Sequence, residues 1–146
     1  RDHRTRAVTP MNLIRTRTAL FAIGYGLLIW FEATIMIRWL GEWIFLPEST
    51  GITIALFAAT VLVVYTVGWC FFYMFRTPLE ERAAAAVLIC AAGLIANAAV
   101  IAWNTQVFPA FTPEQQRLFA SWVVWAYGTG LLSGIWPRRM PFMPTS

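Results

Sequence analysis

A carboxylate inside an apolar stretch is the first candidate for chemistry in this sequence. Glu32 stands in IWFEATIMIRWLGEW, residues 29–43, among Trp, Phe, Ile and Met side chains. A charged side chain near the centre of a bilayer costs about 3 kcal/mol on insertion scales and normally faces the interior of a bundle. We therefore expect Glu32 to point inward. Three roles stay open for it: a hydrogen bond between helices, proton or cation handling, and contact with another subunit.

Other polar residues fall near the height of Glu32 if the apolar stretches are helices that rise about 1.5 Å per residue. Asn97 lies at nearly the same level, Thr60 lies within about one turn of it, and Tyr127 lies close by. An Asn amide can hydrogen-bond a carboxyl group in either protonation state. The heights predict one intramembrane polar cluster of Glu32, Asn97, Thr60 and Tyr127.

A second charge in the same stretch has a different explanation. Arg38 is six residues from Glu32, a spacing that places the two on different faces of a regular helix. Glu42 is four residues beyond Arg38, the spacing at which opposite charges on a helix can pair. Long Arg side chains near helix ends reach toward the membrane interface. We expect Arg38 and Glu42 to form an interfacial ion pair.

The elements that must position these residues follow from composition. Hydrophobic residues make up 59% of the 146 residues and charged residues 12%, against about a quarter charged in soluble domains. Each apolar stretch can span a hydrocarbon core of roughly 30 Å as a helix. The prediction is an all-α fold, a four-helix transmembrane bundle over 18–136, between an Arg-rich segment 1–17 and a Pro-rich tail 137–146. The predicted helices are 18–40, 52–75, 83–103 and 118–136.

The basic residues predict the orientation of the bundle. All eleven are Arg, and most precede the first helix, flank the second loop or follow the last helix. The first loop contains Glu42 and Glu48 and no basic residue. Because basic loops stay in the cytoplasm, we expect an N-in, C-in, multi-pass protein of the bacterial inner membrane. The cytoplasmic set is Arg1, Arg4, Arg6, Arg15, Arg17, Arg76, Arg82, Arg138 and Arg139.

The net charge of +4 points to lipid rather than to nucleic acid. The Arg residues adjoin membrane segments and are not interleaved with an exposed aromatic platform, and each can contribute about 1 kcal/mol of attraction to an acidic leaflet. A basic arm that docks onto a partner is the alternative. The predicted partners are the lipid bilayer and other membrane subunits, without nucleic acid.

Thr-Pro pairs predict three helix starts. Thr9, Thr77 and Thr112 each precede a Pro, which suits the first position of a helix. Glu80 and Gln115 follow two of them by three residues and predict capping boxes.

Small residues predict the faces on which helices meet. Ala22 and Gly26 are four residues apart in the first helix, and Gly130 and Gly134 form a GxxxG in the last. Such faces let helices approach closely in lipid. Whether they join helices within one chain or join separate chains stays open.

The sequence contains few residues of the types that bind metals or haem, which bears on the predicted function. The single histidine is His3, outside the apolar stretches, and Cys70 and Cys90 are not in a CxxC pair. Haem usually needs an axial side-chain ligand, and transition-metal sites need clustered His, Cys or carboxylates. We expect no catalytic residue, no metal and no cofactor ligated by this chain. Contact with lipid, quinone or pigment through aromatic surfaces remains open.

Two family resemblances add to this interpretation. FEATIMIR, residues 31–38, resembles the first helix of the small multidrug resistance transporters, which implies proton exchange for cationic drugs at Glu32. The second loop TPLEER, residues 77–82, and LFASWVVWAYGTGLLSG, residues 118–134, resemble a small uncharacterised bacterial family of four-helix membrane proteins. That resemblance covers 18–136 and implies a fold without a function.

The predicted function is a non-catalytic accessory or scaffold subunit of a bacterial inner-membrane complex, with a respiratory or photosynthetic host as the natural setting. The alternative is a small proton-coupled transporter or ion-conducting oligomer that uses Glu32.

Overall fold

The computed structural model describes residues 14–135, and all regular structure in that range is helical. The predicted all-α class is confirmed. Three helices, α1 Thr16–Ile44, α2 Thr50–Met74 and α3 Leu79–Ala102, are long and apolar enough to cross a membrane. The last long helix, α5 Pro113–Ser133, is not among them, because its first turns contain four charged or amide side chains in succession. The predicted count of four spans is therefore not confirmed. A short helix, α4 Asn104–Val107, lies between α3 and α5 in the chain.

The helix starts show which capping predictions hold. In α5 the Thr112 hydroxyl accepts a hydrogen bond from the Gln115 backbone N–H at 3.3 Å, and the Gln115 side chain accepts one from the Thr112 N–H at 3.0 Å. This capping box starts α5 five residues before the predicted 118. The predicted box at Thr77 does not form, because Pro78 occupies the N-cap position and leaves the buried Thr77 hydroxyl without a partner. Thr9 lies outside the described residues.

Helix α3 holds the bundle together. It packs against α1 along most of its length and against α5 on another side, while α5 also packs against α2. Helices α1 and α2 are neighbours in the chain but touch little. Their contacts include a hydrogen bond from the Tyr25 hydroxyl to the Val67 carbonyl at 3.2 Å and the stacked rings of Phe21 and Phe75, 4.9 Å apart. The two helices therefore leave a gap between them.

The small residues of α1 lie where α1 meets α3. Ala22 is fully buried, and a Cβ on Gly26 would overlap the backbone of Ile89. This close approach is the geometry that small residues permit in lipid. The α1 pair is thus used within one chain.

The small residues of α5 also meet helices of the same chain. A Cβ on Gly134 would lie 2.6 Å from the Ala86 Cβ, and one on Gly130 would lie 2.8 Å from the Cys90 sulfur. Both contacts are to α3. Gly134, which caps the end of α5, is required for this approach because a Cβ there would also meet the backbone of Arg82 and Ala83. At Gly130 the neighbour is a side-chain sulfur, which can move.

The end of the bundle near the α1–α2 loop is closed by an aromatic cluster of Phe45, Phe108, Phe111 and Phe119. All four rings are buried, with centroids 5.0 Å apart for Phe108 and Phe111 and 5.7 Å apart for Phe45 and Phe119. Gln115 donates from Nε2 to the Phe45 carbonyl at 3.0 Å. The cluster joins both loops at this end to α5.

Candidate functional site: a cavity between α1 and α2

The gap between α1 and α2 is a cavity of about 310 Å³, with α3 and α5 behind it. Its lining is almost entirely aliphatic and aromatic, and it contains no charged side chain. Three lining residues, Met36, Ala59 and Val63, are also exposed on the outer surface of the bundle. The cavity therefore opens sideways between the two helices, toward the region that lipid occupies if these helices span a membrane.

One polar pair on the lining joins α3 to α5. Asn97 donates from Nδ2 to the Tyr127 hydroxyl at 2.8 Å, and both residues line the cavity. Gly93, one turn before Asn97, leaves room for the hydroxyl, since a Cβ there would lie 2.5 Å from it. Two members of the predicted polar cluster are thus brought together by the packing of α3 on α5.

A second polar pair on the lining joins α2 to α5. Trp122 donates from its indole Nε1 to the Thr60 hydroxyl at 2.6 Å, and Thr60 donates to the Leu56 carbonyl at 2.7 Å. The sequence predicts Thr60 in the polar cluster but does not predict Trp122 there. A buried Trp N–H usually finds an acceptor, which is the signal that could have linked Trp122 to a polar residue on a facing helix.

Glu32 is not part of this arrangement, so the prediction that it points inward is wrong. Its side chain is exposed, and within residues 14–135 it has no hydrogen bond or ion pair. The buried residues Ala22, Gly26 and Ile37 mark the face of α1 that packs on α3. The helical repeat of 3.6 residues places Glu32 away from that face, and α2 is too far from α1 to cover it.

The predicted ion pair of Arg38 with Glu42 is also absent. Arg38 donates from Nη1 to the backbone carbonyl of Val107, the last residue of α4. The last carbonyls of a helix have no partner within the helix, so they accept readily from a guanidinium group. Glu42 is exposed, and Arg38 links α1 to the loop that precedes α5 instead.

The ion pair found within residues 14–135 was not predicted. Arg15 approaches Glu81 with 3.3 Å between Nε and Oε1, joining the start of α1 to the start of α3. Glu81 is buried, and its second oxygen, Oε2, has no hydrogen-bond partner. Both residues belong to the Arg-rich side of the chain, but their contact depends on the packing of α1 on α3, which the sequence does not reveal.

One further polar group adjoins the cavity. Trp30 lines it from α1, and the indole Nε1 of Trp30 is buried without a hydrogen-bond partner among the described residues. A buried N–H that lacks an acceptor costs about 1–3 kcal/mol. This N–H stays unsatisfied in the packing, and its nitrogen is covered by neighbouring atoms rather than open to the cavity.

Groups that could hold a metal ion are not found between residues 14 and 135. Cys70 and Cys90 are both free thiols. The cavity offers neutral hydrogen-bonding groups in apolar surroundings, the usual make-up of a site that holds a small molecule.

Comparison with known proteins identifies the family of this chain. The profile of DUF5367, a family of unknown function, matches residues 44–140. The match begins at the last residue of α1 and includes α2 to α5, so Glu32 and Arg38 lie outside it. No curated protein and no solved structure matches the chain. The matched region contains three of the four cavity walls and both polar pairs. The resemblance to an uncharacterised family is thereby confirmed: the chain belongs to DUF5367, a family of unknown function.

Proposed function

We propose that this protein is a non-catalytic, multi-pass subunit of a bacterial inner-membrane complex, and that the outer face of α1 docks against another membrane-spanning chain. The observation that carries the proposal is the exposed, unpaired carboxyl group of Glu32 in the middle of an apolar helix. Phe31 and Ile35, beside it on α1, are exposed as well. A carboxylate facing lipid at this depth costs about 3 kcal/mol, and a partner helix that hydrogen-bonds it removes that cost.

The proposed orientation is N-in, C-in, which requires α5 to cross the membrane as a fourth span, and the charge distribution supports the N-in part of it. Arg15 and Arg17 adjoin the start of α1, while Arg76 and Arg82 flank the loop between α2 and α3. The Arg15–Glu81 ion pair joins these two regions at one end of the bundle. Basic residues gathered at one end favour the cytoplasmic side for that end. Exposed aromatic side chains such as Trp39 and Trp103 are then available to a respiratory or photosynthetic partner complex.

The experiment compares Glu32→Leu with the wild type in native membranes. We expect the wild-type protein to co-purify in mild detergent with a larger complex at fixed stoichiometry, and Glu32→Leu to lose that complex while eluting as a folded protein. Glu48→Leu, in the exposed loop before α2, is the matched control and should keep the complex. Recovery of the wild type as a lone homo-oligomer, or an intact complex with Glu32→Leu, would contradict the proposal.

A second function has one observation in its favour. Glu32 is three residues from Ile29 and four from Met36, and both line the cavity. A carboxyl group at the mouth of a membrane cavity suits a small proton-coupled transporter. If the chain is one, Glu32→Gln will abolish proton-coupled flux in reconstituted vesicles and leave the protein folded. If it is an accessory subunit, the vesicles will show no coupled flux with either sequence.

A further inference from the structure

We propose that the cavity between α1 and α2 binds a membrane-soluble quinone, with a ring carbonyl hydrogen-bonded by the Asn97–Tyr127 pair. The inference does not depend on the proposed function, because it concerns the inside of the bundle and not the outer face of α1. It rests on the charge, the polar groups and the opening of the cavity.

The lining selects a neutral ligand. No charged side chain contributes to the lining itself, and the Glu32 carboxyl group at the mouth is exposed to the outside, so a charged head inside the cavity would lack a counter-charge. Burial of an unpaired charge is strongly unfavourable. A volume of about 310 Å³ is at the small end of ligand sites. Phospholipid headgroups are therefore disfavoured, and a compact neutral head fits.

The polar pair selects a hydrogen-bond acceptor. The Tyr127 hydroxyl accepts from Asn97, which leaves its own hydrogen available as a donor. Quinone carbonyls only accept, so they complement a donor of this kind. The Trp122–Thr60 pair is already satisfied by its own bonds and supplies a flat aromatic wall.

The opening selects a ligand that arrives through the bilayer. Met36, Ala59 and Val63 line the cavity and are exposed at the side of the bundle. A head bound at Asn97 and Tyr127 can leave its apolar tail in this opening. A molecule with a small carbonyl-bearing ring and a long apolar tail meets all three requirements.

The test is a titration of the purified full chain in mild detergent with decylubiquinone, followed by quenching of tryptophan fluorescence. We expect saturable quenching. Ala59→Phe fills the mouth of the cavity and should abolish the saturable part, whereas Ala58→Phe, exposed on α2 outside the cavity, should retain it. Tyr127→Phe removes one hydrogen bond and should weaken binding about fivefold.

Three results would overturn the proposal. Equal quenching of Ala59→Phe and Ala58→Phe would show that the quinone dissolves in the micelle. If Tyr127→Phe binds decylubiquinone with the affinity of the wild type, the Tyr127 hydroxyl does not hydrogen-bond the quinone. Decylbenzene has a ring and a tail but no carbonyl groups. If an equimolar amount of it displaces decylubiquinone, the cavity binds apolar molecules without recognising the quinone carbonyls. Circular dichroism of Tyr127→Phe checks that loss of binding is not loss of fold.

Discussion

The aromatic cluster and the cavity differ in packing: the cluster fills the space between its elements, and the cavity leaves space between α1 and α2. In the cluster, Phe45, Phe111 and Phe119 are buried with rings 5.7–6.3 Å apart, and Gln115 hydrogen-bonds the Phe45 carbonyl. In the cavity, α1 and α2 stay apart and leave about 310 Å³ unfilled. One region is filled by packed rings, and the other leaves open space between aliphatic and aromatic side chains.

The difference predicts that the stability of the chain depends more on side-chain packing in the aromatic cluster than on packing around the cavity. Interiors packed to crystal-like density lose stability when atoms are removed or added, so the cluster should be sensitive to both changes. A cavity wall already lacks neighbours on one side, so substitutions there should cost less. Four comparisons of variants test this contrast through the free energy of unfolding, measured by SDS titration in mixed micelles.

The largest effect is expected in the cluster. Phe45→Ala removes a fully buried ring, and we expect the free energy of unfolding to fall by about 3–5 kcal/mol, because large-to-small changes in a packed core leave a void. Trp43→Ala, two residues earlier and 79% exposed, is the control and should change stability by less than about 0.5 kcal/mol. Similar losses for both would contradict the description of a packed cluster.

The next effect tests the α1–α3 contact that forms the back of the cavity. Gly26→Ala places a Cβ against the backbone of Ile89, and overpacking of this kind costs about 1–3 kcal/mol. Gly24→Ala is the matched control, because a Cβ there meets nothing within 4 Å. That control should be neutral or slightly stabilising, since Ala favours helix over Gly. Equal behaviour of the two variants would mean that α1 does not lie this close to α3.

A third variant tests the polar bond that supports the cluster. Gln115→Leu leaves the Phe45 carbonyl without the Gln115 donor and removes the α5 capping box. We expect a loss of about 1–3 kcal/mol, the cost of an unsatisfied buried group. Gln106→Leu, at an exposed position of α4, should lie within about 0.5 kcal/mol of the wild type. A Gln115→Leu protein as stable as the control would show that the bond adds nothing.

The smallest effect is expected at the cavity wall. Ala126→Val adds two methyl groups beside open space and should change the free energy of unfolding by less than about 1 kcal/mol, as tolerated core changes do. Ala85→Val, at a fully buried position of α3 outside the cavity, should cost about 1–3 kcal/mol. If Ala126→Val is the more damaging change, the region between α1 and α2 is packed and the contrast fails.

Predictions from local sequence pattern and predictions from height along a helix have different outcomes in the structure. The Thr112–Gln115 capping box forms, whereas the Thr77–Glu80 pair with the same spacing does not, because Pro78 takes the N-cap position there. Local pattern therefore predicts a box only where the helix begins at the expected residue. Glu32 and Asn97 were matched by height alone, and height leaves the angle around the helix axis open. The structure turns Asn97 toward Tyr127 and turns Glu32 outward.

The sequence by itself determined the helical class, the three helices apolar enough to cross a membrane, the capped start of α5 and the glycines that allow close packing. These features depend on residues that are near one another in the chain. The tertiary structure decided that α1 packs on α3 and not on α2, that Arg38 bonds Val107 and not Glu42, and that a cavity separates α1 from α2. The physical reason is that the partners of a side chain depend on which helix faces are in contact. Several faces of these apolar helices are nearly equal in hydrophobicity, so the sequence alone does not decide which of them meet.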